Sequence, residues 1–224
     1  MKHGIDTALS VAKEKKLQVF RPFETKKFII RVFDSEKVAS VVKLKFYEKL
    51  FFKLKEKNKK IKNSANLRQF RKEDIPILFD LLVDLTKDYE VSIEPNFEDF
   101  KWVLEQPATN CIIYEKSEEI KGFMLAWEFK LADFGNAIPF GWIDIIHIKN
   151  LSTSEATDLS LYLSETSNAK GWLGLQSPYI PYYKSKPLQK ANFVFFPKKL
   201  SFDIILLSKV KIPGKFKAAY FDWR

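Results

Sequence analysis

Along residues 122–131, GFMLAWEFKL, large apolar side chains recur at every second position. A period of two is typical of a β-strand that packs one face against a core. The segment before it, NCIIYEK, turns into it through Ser117 and Glu118. The segment after it, IPFGWIDIIHIKN, is more apolar and is therefore expected near the centre of a sheet. The chain is thus predicted to build its core on a meander of three strands.

Capped helices flank this meander on both sides. Asp74, followed by Pro76, marks the start of one amphipathic helix, and Asn96 marks the start of a second. After the meander, Ser152 and Glu155 form the S-x-x-E capping box of a longer helix. A further strand, a broken helix and two closing strands follow. A meander joined to crossover helices indicates a mixed sheet in an α/β domain.

Two distant segments of the chain read alike. Residues 19–33, VFRPFETKKFIIRVF, and residues 194–207, VFFPKKLSFDIILL, share apolar, proline and aromatic positions when aligned with one gap. Each is predicted to form two strands broken by a turn that contains the proline. The first copy is therefore expected to be a hairpin near the N-terminus.

Composition limits the chemistry that this chain can carry. A length of 224 residues suits one domain, or one domain with an appendage. Cys111 is the single cysteine and His3 and His147 are the only histidines, so neither a disulfide nor a cysteine or histidine metal cluster is predicted. The sequence also contains no G-x-S-x-G, P-loop or G-x-G-x-x-G motif.

The apolar segments are too short to cross a bilayer, which takes about 20 residues. The first residues, GIDTALSVAKEKK, lack the uninterrupted apolar core of a signal peptide. The protein is therefore predicted to be cytoplasmic.

Most of the positive charge lies in one segment. The net charge is +10, and residues 43–62 hold nine lysines and two glutamates. From Ser35 to about Lys60, apolar residues recur at helical spacing, which predicts one basic amphipathic helix. Three interpretations stay open: a surface helix that buries its apolar stripe on the domain, a helix that docks on a membrane surface, or a contact with nucleic acid or a protein.

The segment LRQFRKEDIPILFDLL resembles the opening of the GNAT superfamily of acyl-CoA-dependent N-acyltransferases. The positions that carry the likeness are Leu67, Arg68, Asp74 and Ile75. The element order agrees over about residues 64–209, and QKANFVFF is similar to the family's KLGF segment, with Asn192 where glycine is usual. The resemblance implies a mixed, mostly antiparallel sheet flanked by helices, here with an N-terminal strand hairpin and a basic helix.

This resemblance divides the chain into residues 1–62, an N-terminal appendage, and residues 63–224, the GNAT-like domain. Residues 1–34 look like the tail of such a domain. The appendage is therefore expected either to be the remnant of a first repeat or to extend the sheet of the complete domain.

The resemblance also implies acyl-CoA or acetyl-CoA as cosubstrate. Family members hold the pyrophosphate where the fourth strand meets the next helix, and the matching stretch here is HIKNLSTSEA. The predicted cofactor-binding residues are Ile148, Asn150, Ser152, Thr153 and Ser154. The family's glycine motif is absent, and the capping box is expected to occupy donors that a phosphate needs. Either CoA binds here in an unusual way or it does not bind.

For catalysis the resemblance implies a base for the attacking amine and a tyrosine that protonates the leaving thiolate. The candidates are Asp144 and His147 on the fourth strand and Tyr183 after the fifth, with Tyr182 beside it. The alternative interpretation, and the more common one for such residues, is that each is a buried structural residue. Asp144 and His147 have opposite parity, which predicts opposite faces of the sheet.

Two functions remain in view. One is a divergent N-acyltransferase that transfers an acyl group to a small-molecule or other amine. The other is a catalytically inactive GNAT-like binding or scaffold module, docked through residues 43–62 on a membrane surface or a partner.

Overall fold

The computed structural model describes residues 2–57, 59–87, 89, 91–133, 136–180, 182–208 and 219–220. The strands are β1 (Gln18–Val32), β2 (Leu67–Gln69), β3 (Val91–Ser92), β4 (Thr109–Lys116), β5 (Glu119–Asp133), β6 (Asn136–His147), β7 (Gly174–Pro178), β8 (Val194–Leu206) and β9 (Ala219–Tyr220). Seven of them form one sheet in the order β2-β4-β5-β6-β7-β1-β8, and β3 pairs with β9.

The predicted meander is confirmed. β4, β5 and β6 pair antiparallel in sequence order. Ser117 and Glu118, which join β4 to β5, have φ angles of 55° and 62°, as the tight hairpin turns with positive φ require. Within the seven-stranded sheet, β6 and β7 run parallel and the other neighbours run antiparallel. The predicted mixed, mostly antiparallel α/β fold class is therefore confirmed.

The two similar segments are neighbours in the sheet. β1 lies between β7 and β8, and its pairing with β8 runs from Gln18 opposite Leu206 to Ile30 opposite Val194. The prediction of a hairpin within each copy is wrong, because each copy forms one long strand. The register of the pair shifts between Phe20 and Phe23, on either side of Pro22. Proline lacks an amide hydrogen and is tolerated in strands at such irregularities, so here it marks a shift in pairing and not a turn.

Helices cover both faces of the sheet. They are α1 (Lys2–Glu14), α2 (Ser35–Ala39), α3 (Phe46–Lys55), α4 (Ile75–Thr86), α5 (Phe97–Leu104), α6 (Thr153–Ala169) and α7 (Lys186–Lys190). Buried residues of α6 pack with Ile143 and Ile146 on one face, and those of α4 and α5 pack with Ile145 on the other. None of the helices in the described part of the chain is long and apolar enough to cross a membrane.

Arg68 and Asp74, two of the residues that carry the family likeness, belong to an ion-pair cluster. Arg68 of β2 donates to both carboxylate oxygens of Asp74, at 2.7 and 2.8 Å, and also bonds Glu115 of β4. Asp74 stands just before α4, yet its side chain does not cap that helix; it accepts the amide hydrogen of Arg71 at 2.7 Å. The cluster ties the first strand of the domain to its first helix.

The predicted single basic helix is two helices, α2 and α3. Ser40 ends α2 by donating its hydroxyl hydrogen to the carbonyl of Lys37, and Glu48 begins α3 by accepting the amide hydrogen of Lys45. The break lets Val38 of α2 and Phe52 of α3 both bury themselves against β1 and β8. The packing of these two side chains therefore decides the local structure, although the apolar residues keep a continuous helical spacing in the sequence.

The segment after α3 is tied to α6. Asp158 accepts the amide hydrogens of Lys62 and Asn63, each at 3.1 Å, and the side-chain amide of Asn63 at 2.8 Å. Through β1, residues 1–62 contribute a strand to the same sheet as residues 63–224. The division of the chain into an appendage and a domain, and its origin in a repeat, stay predictions.

Candidate functional site

The parallel neighbours β6 and β7 separate along their length. They pair at Gly141 with Leu175 and at Trp142 with Gln176. β6 then continues to His147, while β7 follows β1, with Pro178 opposite Phe28. The sheet therefore opens between β6 and β7 on the side toward the N-terminus of α6.

A β-bulge accompanies this opening. Leu125 of β5 pairs with Ile145, but Ala126 pairs with Ile143, so Asp144 is the extra residue of β6. Bulges interrupt the alternation of side chains along a strand and re-aim the residues around them. The parity argument that assigned Asp144 and His147 to opposite faces therefore does not hold for this strand.

A cavity of about 260 Å³ lies at the opening between the two strands. Its walls come from the end of α4, the end of β6, the first turn of α6 and the segment after β7. The lining residues are Leu85, Tyr89, Ile146, Ile148, Lys149, Leu151, Thr153, Ala156, Tyr182, Tyr183, Lys184 and Pro187.

Two adjacent tyrosines of the cavity differ in their bonding. The Tyr182 hydroxyl accepts the amide hydrogen of Ile146 at 3.2 Å, where β6 has parted from β7. The Tyr183 hydroxyl is buried and has no hydrogen-bond partner among the residues that the structure describes. Burial raises the pKa of both phenols well above the ordinary value. Tyr183 is therefore a neutral phenol with a proton to donate.

His147, at the end of β6, is fully buried and stacks on Phe123, with ring centroids 5.7 Å apart. Burial, followed by the positive charge of Lys149, lowers its pKa from 6.5 to about 4. Neither ring nitrogen has a hydrogen-bond partner among the described residues. The imidazole is therefore neutral at pH 7.

The turn before α6 lies close to β5. A Cβ at Gly122 would come within 2.7 Å of the main-chain oxygen of His147, so glycine permits this approach. The predicted capping box is present: the Ser152 hydroxyl accepts the amide hydrogen of Glu155, and the Glu155 carboxylate accepts that of Ser152 at 2.9 Å. Among the described residues, no acceptor is bonded to the amides of Thr153 and Ser154.

Glu155 brings a negative charge to this helix start. Its carboxylate accepts the Ser152 amide hydrogen and also bonds the Tyr114 hydroxyl at 3.2 Å and the Lys116 ammonium at 3.1 Å. The bonds from Ser152, followed by Lys116, lower its pKa to about 2. Glu155 is therefore ionised at pH 7, and an anion at the first turn of α6 would lie near that charge.

No protein-family model matches the chain, and no curated protein matches its sequence. Among solved structures, it is similar to Saccharomyces cerevisiae N-myristoyltransferase with bound myristoyl-CoA, at 12% identity and a TM-score of 0.54, over 80% of this chain and 47% of that one. A structure of the same yeast enzyme with myristoyl-CoA and inhibitors gives 12% identity and a TM-score of 0.53, over 89% and 50% of the two chains.

An acetyltransferase from Vibrio fischeri is similar at 17% identity and a TM-score of 0.38, over 47% of this chain and 88% of that one. The chain spans about half the length of the N-myristoyltransferase structures that it matches. The two N-myristoyltransferase likenesses, with TM-scores of 0.54 and 0.53, concern the fold. The chain has a GNAT-like fold.

Within this GNAT-like fold, the predicted site residues lie at three places. Tyr183, Ile148 and Thr153 line the cavity. Asn150, Ser152 and Ser154 are exposed in the turn and the first residues of α6. Asp144 and His147 are buried in β6 and do not belong to the cavity lining. The assignment of these residues to catalysis and cofactor binding stays a prediction.

Residues that were not among the sequence predictions also lie at or beside the cavity. Tyr89 donates its hydroxyl hydrogen to the main-chain oxygen of Tyr182 at 3.1 Å. Lys149 forms an ion pair with Asp84 of α4 beside the same opening. Asp84 belongs to α4 and Tyr89 follows that helix, so both are far from β6 in sequence. No local pattern could have placed them at this cavity.

Proposed function

We propose that the chain is an N-acyltransferase that moves an acyl group from acyl-CoA to an amine. The observation that carries the proposal is the cavity at the parting of β6 and β7, which is bounded by a buried neutral tyrosine and by the first turn of α6. In a GNAT-like fold this opening is the place where the resemblance implies the acyl donor.

In the proposed reaction, the amine nitrogen attacks the thioester carbonyl carbon. A carbon–nitrogen bond forms, the carbon–sulfur bond breaks, and the ammonium proton passes to a base. Tyr183 gives its phenolic proton to the departing CoA thiolate. Its place in the cavity lining and its hydroxyl without a partner among the described residues support this role.

We assign the base to Asp144 or His147. Both are buried behind the cavity lining, so either would act through an ordered water or after a shift on substrate binding, and such contacts often tighten only in the complex. His147 is neutral at pH 7, as a base must be, although a pKa of about 4 makes it a weak one. Asp144 occupies the bulge, and its charge contributes to the raised pKa of Tyr182 after burial and the two neighbouring tyrosines.

The amides of Thr153 and Ser154 would hold a phosphate of the donor, because the first turn of a helix offers unpaired donors and a partial positive charge. Ile148 would contact the pantetheine arm, and Asn150 and Ser152 lie in the turn beside it. The Lys184 side chain, which also lines the cavity, adds a positive charge.

A second candidate is a GNAT-like binding or scaffold module without catalysis. The observation that favours it is the complete capping box. Glu155 is ionised and takes one of the first-turn donors for the protein itself. A carboxylate at that place weakens an anion site by like-charge repulsion. The two candidates differ in one measurable property, the affinity for acyl-CoA.

Isothermal titration calorimetry with acetyl-CoA and with longer acyl-CoAs separates them. Thr153 is the first residue of α6, where proline is tolerated, and the preceding Ser152 has a φ of −62° and a ψ of 161°, which proline also permits. Thr153→Pro therefore deletes one candidate donor without breaking the helix. We expect it to weaken acyl-CoA binding by about tenfold, the value of one hydrogen bond to a charged group.

Thr153→Ala is the matched control, since it keeps the amide and removes only the side chain. We expect its affinity to stay within about twofold of the parent, with unchanged melting temperatures for both variants. Absence of heat with every acyl-CoA at millimolar concentration would exclude the acyltransferase and leave the scaffold module.

A further inference from the structure

Helix α3 presents most of its apolar side chains to solvent. The exposed fraction is 84% for Phe46, 72% for Leu54 and 50% for Leu50, whereas Phe52 is 4% exposed. Tyr47 and Phe51 are exposed as well. Contiguous apolar patches of this kind on a protein surface usually mark an interaction site. The expectation that the basic helix buries its apolar stripe on the domain is therefore wrong for α3.

The exposed side chains form one continuous face. At about 100° per residue, Phe46, Leu50, Leu54, Tyr47 and Phe51 fall within an arc of about 140°. Phe52 lies on the opposite side of the helix and packs on Phe196 of β8, with ring centroids 6.0 Å apart. One aromatic residue thus anchors α3 to the protein, and the other apolar face points away from it. We call these five exposed residues the α3 face.

Lysines border the α3 face. Lys49 and Lys53 lie along one edge, where both form ion pairs with Glu36 of α2. Lys55 lies along the other edge, and exposed Lys45 and Lys57 lie at the two ends of the helix. Glu36 already partners Lys49 and Lys53. Negative charge from a partner would therefore chiefly meet Lys45, Lys55 and Lys57, and the centre of the face would meet apolar groups.

We propose that the α3 face docks on the surface of a bilayer that contains anionic phospholipids. Phe46, Leu50 and Leu54 enter the boundary between headgroups and acyl chains, and the bordering lysines contact the headgroup phosphates and carboxylates. A helix with its apolar arc turned outward and lysines on both borders has the form of an interfacial helix. The lysines add attraction to an anionic surface, and their alkyl stems lie along the apolar boundary.

Charge disfavours the other occupants. A second copy of the chain would pack on this face about a two-fold axis. The lysines of one copy would then lie close to the lysines of the other, and the like charges would repel. Nucleic acid would pair with the lysines but would leave the five apolar side chains in water or against phosphate. An anionic bilayer satisfies both the apolar centre and the basic border. This inference is independent of the proposed acyl transfer.

The test is flotation of the full chain with vesicles of phosphatidylcholine alone or with 30 mol% phosphatidylserine, a composition of about one anionic lipid in three. We expect binding to the anionic vesicles and little to the neutral ones. Leu50→Ser with Leu54→Ser should weaken that binding by at least tenfold, because two leucines no longer enter the bilayer. Lys45→Gln, Lys55→Gln and Lys57→Gln together should weaken it by about a hundredfold, since each lysine near the surface contributes a factor of about five.

Matched controls lie on the α4 and α5 side of the protein. Ile77 and Trp102 are exposed apolar residues there, with exposed fractions of 50% and 64%. Ile77→Ser with Trp102→Ser should leave vesicle binding within twofold, as should Lys72→Gln with Lys87→Gln. Each variant is first compared with the parent by thermal melting.

Three results would overturn the inference. The first is the absence of binding to anionic vesicles, and the second is equal binding to neutral and anionic ones. The third is a dimer in sedimentation velocity that dissociates on Leu50→Ser with Leu54→Ser, which would assign the α3 face to a second copy.

Discussion

An ion-pair cluster and two buried polar side chains of the molecule differ in how fully they are paired. In the Arg68 cluster, the guanidinium donates to Asp74 and Glu115, and Asp74 also accepts the Arg71 amide. By contrast, the Tyr183 hydroxyl at the cavity and the ring nitrogens of His147, which is buried in β6 outside the cavity lining, have no hydrogen-bond partner within the described residues. An unsatisfied buried polar group costs about 1–3 kcal/mol, so Tyr183 and His147 are each held at a cost to stability.

This difference distinguishes residues that stabilise the fold from a residue that is available to a ligand. Arg68 and Asp74, which are among the residues that made the sequence resemble the family, belong to the satisfied cluster and join β2 to α4. Tyr183, whose hydroxyl a ligand could still satisfy, lines the cavity between β6 and β7. The residues that resemble the family and the residues that could carry out chemistry therefore lie in different parts of the chain. Only the residues at the cavity bear on activity.

The largest effect that we expect is the loss of the satisfied cluster. Arg68→Ala removes the partner of Asp74, whose side chain is only 5% exposed. Breaking such a pair should lower the free energy of unfolding by about 4 kcal/mol, because it leaves a charge buried. Lys72→Ala is the matched control. The Lys72 side chain is 80% exposed, so its ion pair with Glu105 should contribute less than about 1 kcal/mol to the free energy of unfolding. Urea denaturation measures both variants.

The pH dependence of that loss has a definite sign. Burial raises the pKa of Asp74, but the bonds from Arg68 and Arg71 outweigh it and hold the pKa below the ordinary 3.8. The stabilisation is therefore present above about pH 4 and is lost as pH falls through the lowered pKa. The difference between the parent and Arg68→Ala should shrink below pH 4. A constant difference down to pH 2 would contradict the role of Asp74.

The ring of His147, unpaired within the described residues, should make the stability of the protein sensitive to acid. The pKa of the folded state is about 4 and the ordinary value is 6.5, so the unfolded chain binds the proton first as pH falls. Stability should be constant above pH 6.5 and fall by about 3 kcal/mol between pH 6.5 and pH 4. His147→Leu should remove most of this fall, whereas His3→Ala, at the only other histidine, should retain it. An unchanged pH profile in His147→Leu would mean that the ring is solvated.

Removing the Tyr183 hydroxyl should separate activity from stability. Tyr183→Phe deletes a buried group without a described partner, so the free energy of unfolding should stay level or rise by about 1 kcal/mol. Acyl transfer should slow about a hundredfold, close to 2.7 kcal/mol, as for loss of a general acid. Tyr182→Phe is the control: it leaves the Ile146 amide unsatisfied and should lower stability by about 1 kcal/mol. Unchanged transfer rates in Tyr183→Phe would remove Tyr183 from the mechanism.

Local signals predicted much of the fold. The alternation along β5, the turn at Ser117 and Glu118, and the capping box of Ser152 and Glu155 each depend on neighbours in sequence, and each is present. The break between α2 and α3 was not predictable in this way. It depends on the packing of Val38 and Phe52 against strands from both ends of the chain.

The candidate site was less accessible to sequence reasoning. The bulge at Asp144 exists only in the pairing of β6 with β5, so no property of β6 alone reveals it. Tyr182 appeared as one aromatic residue among several, and its bond to the Ile146 amide depends on the parting of β6 from β7. Pro22 and Pro197 suggested turns, because a proline in a strand signals an irregularity without stating which kind.

The smallest effect that we expect tests whether the capping box suppresses an anion site. Glu155→Gln keeps a side-chain acceptor for the Ser152 amide but removes the negative charge beside the amides of Thr153 and Ser154. Stability should fall by about 1 kcal/mol, because the bonds to Lys116 and the helix start lose their charge. Acyl-CoA affinity should rise by about threefold to tenfold, since a like charge near the phosphate has gone. Glu165→Gln, on the same helix but three turns away from its start, should leave the affinity unchanged. If Glu155→Gln loses stability and gains no affinity, the first turn of α6 serves the fold alone, and the scaffold module becomes the better account of the chain.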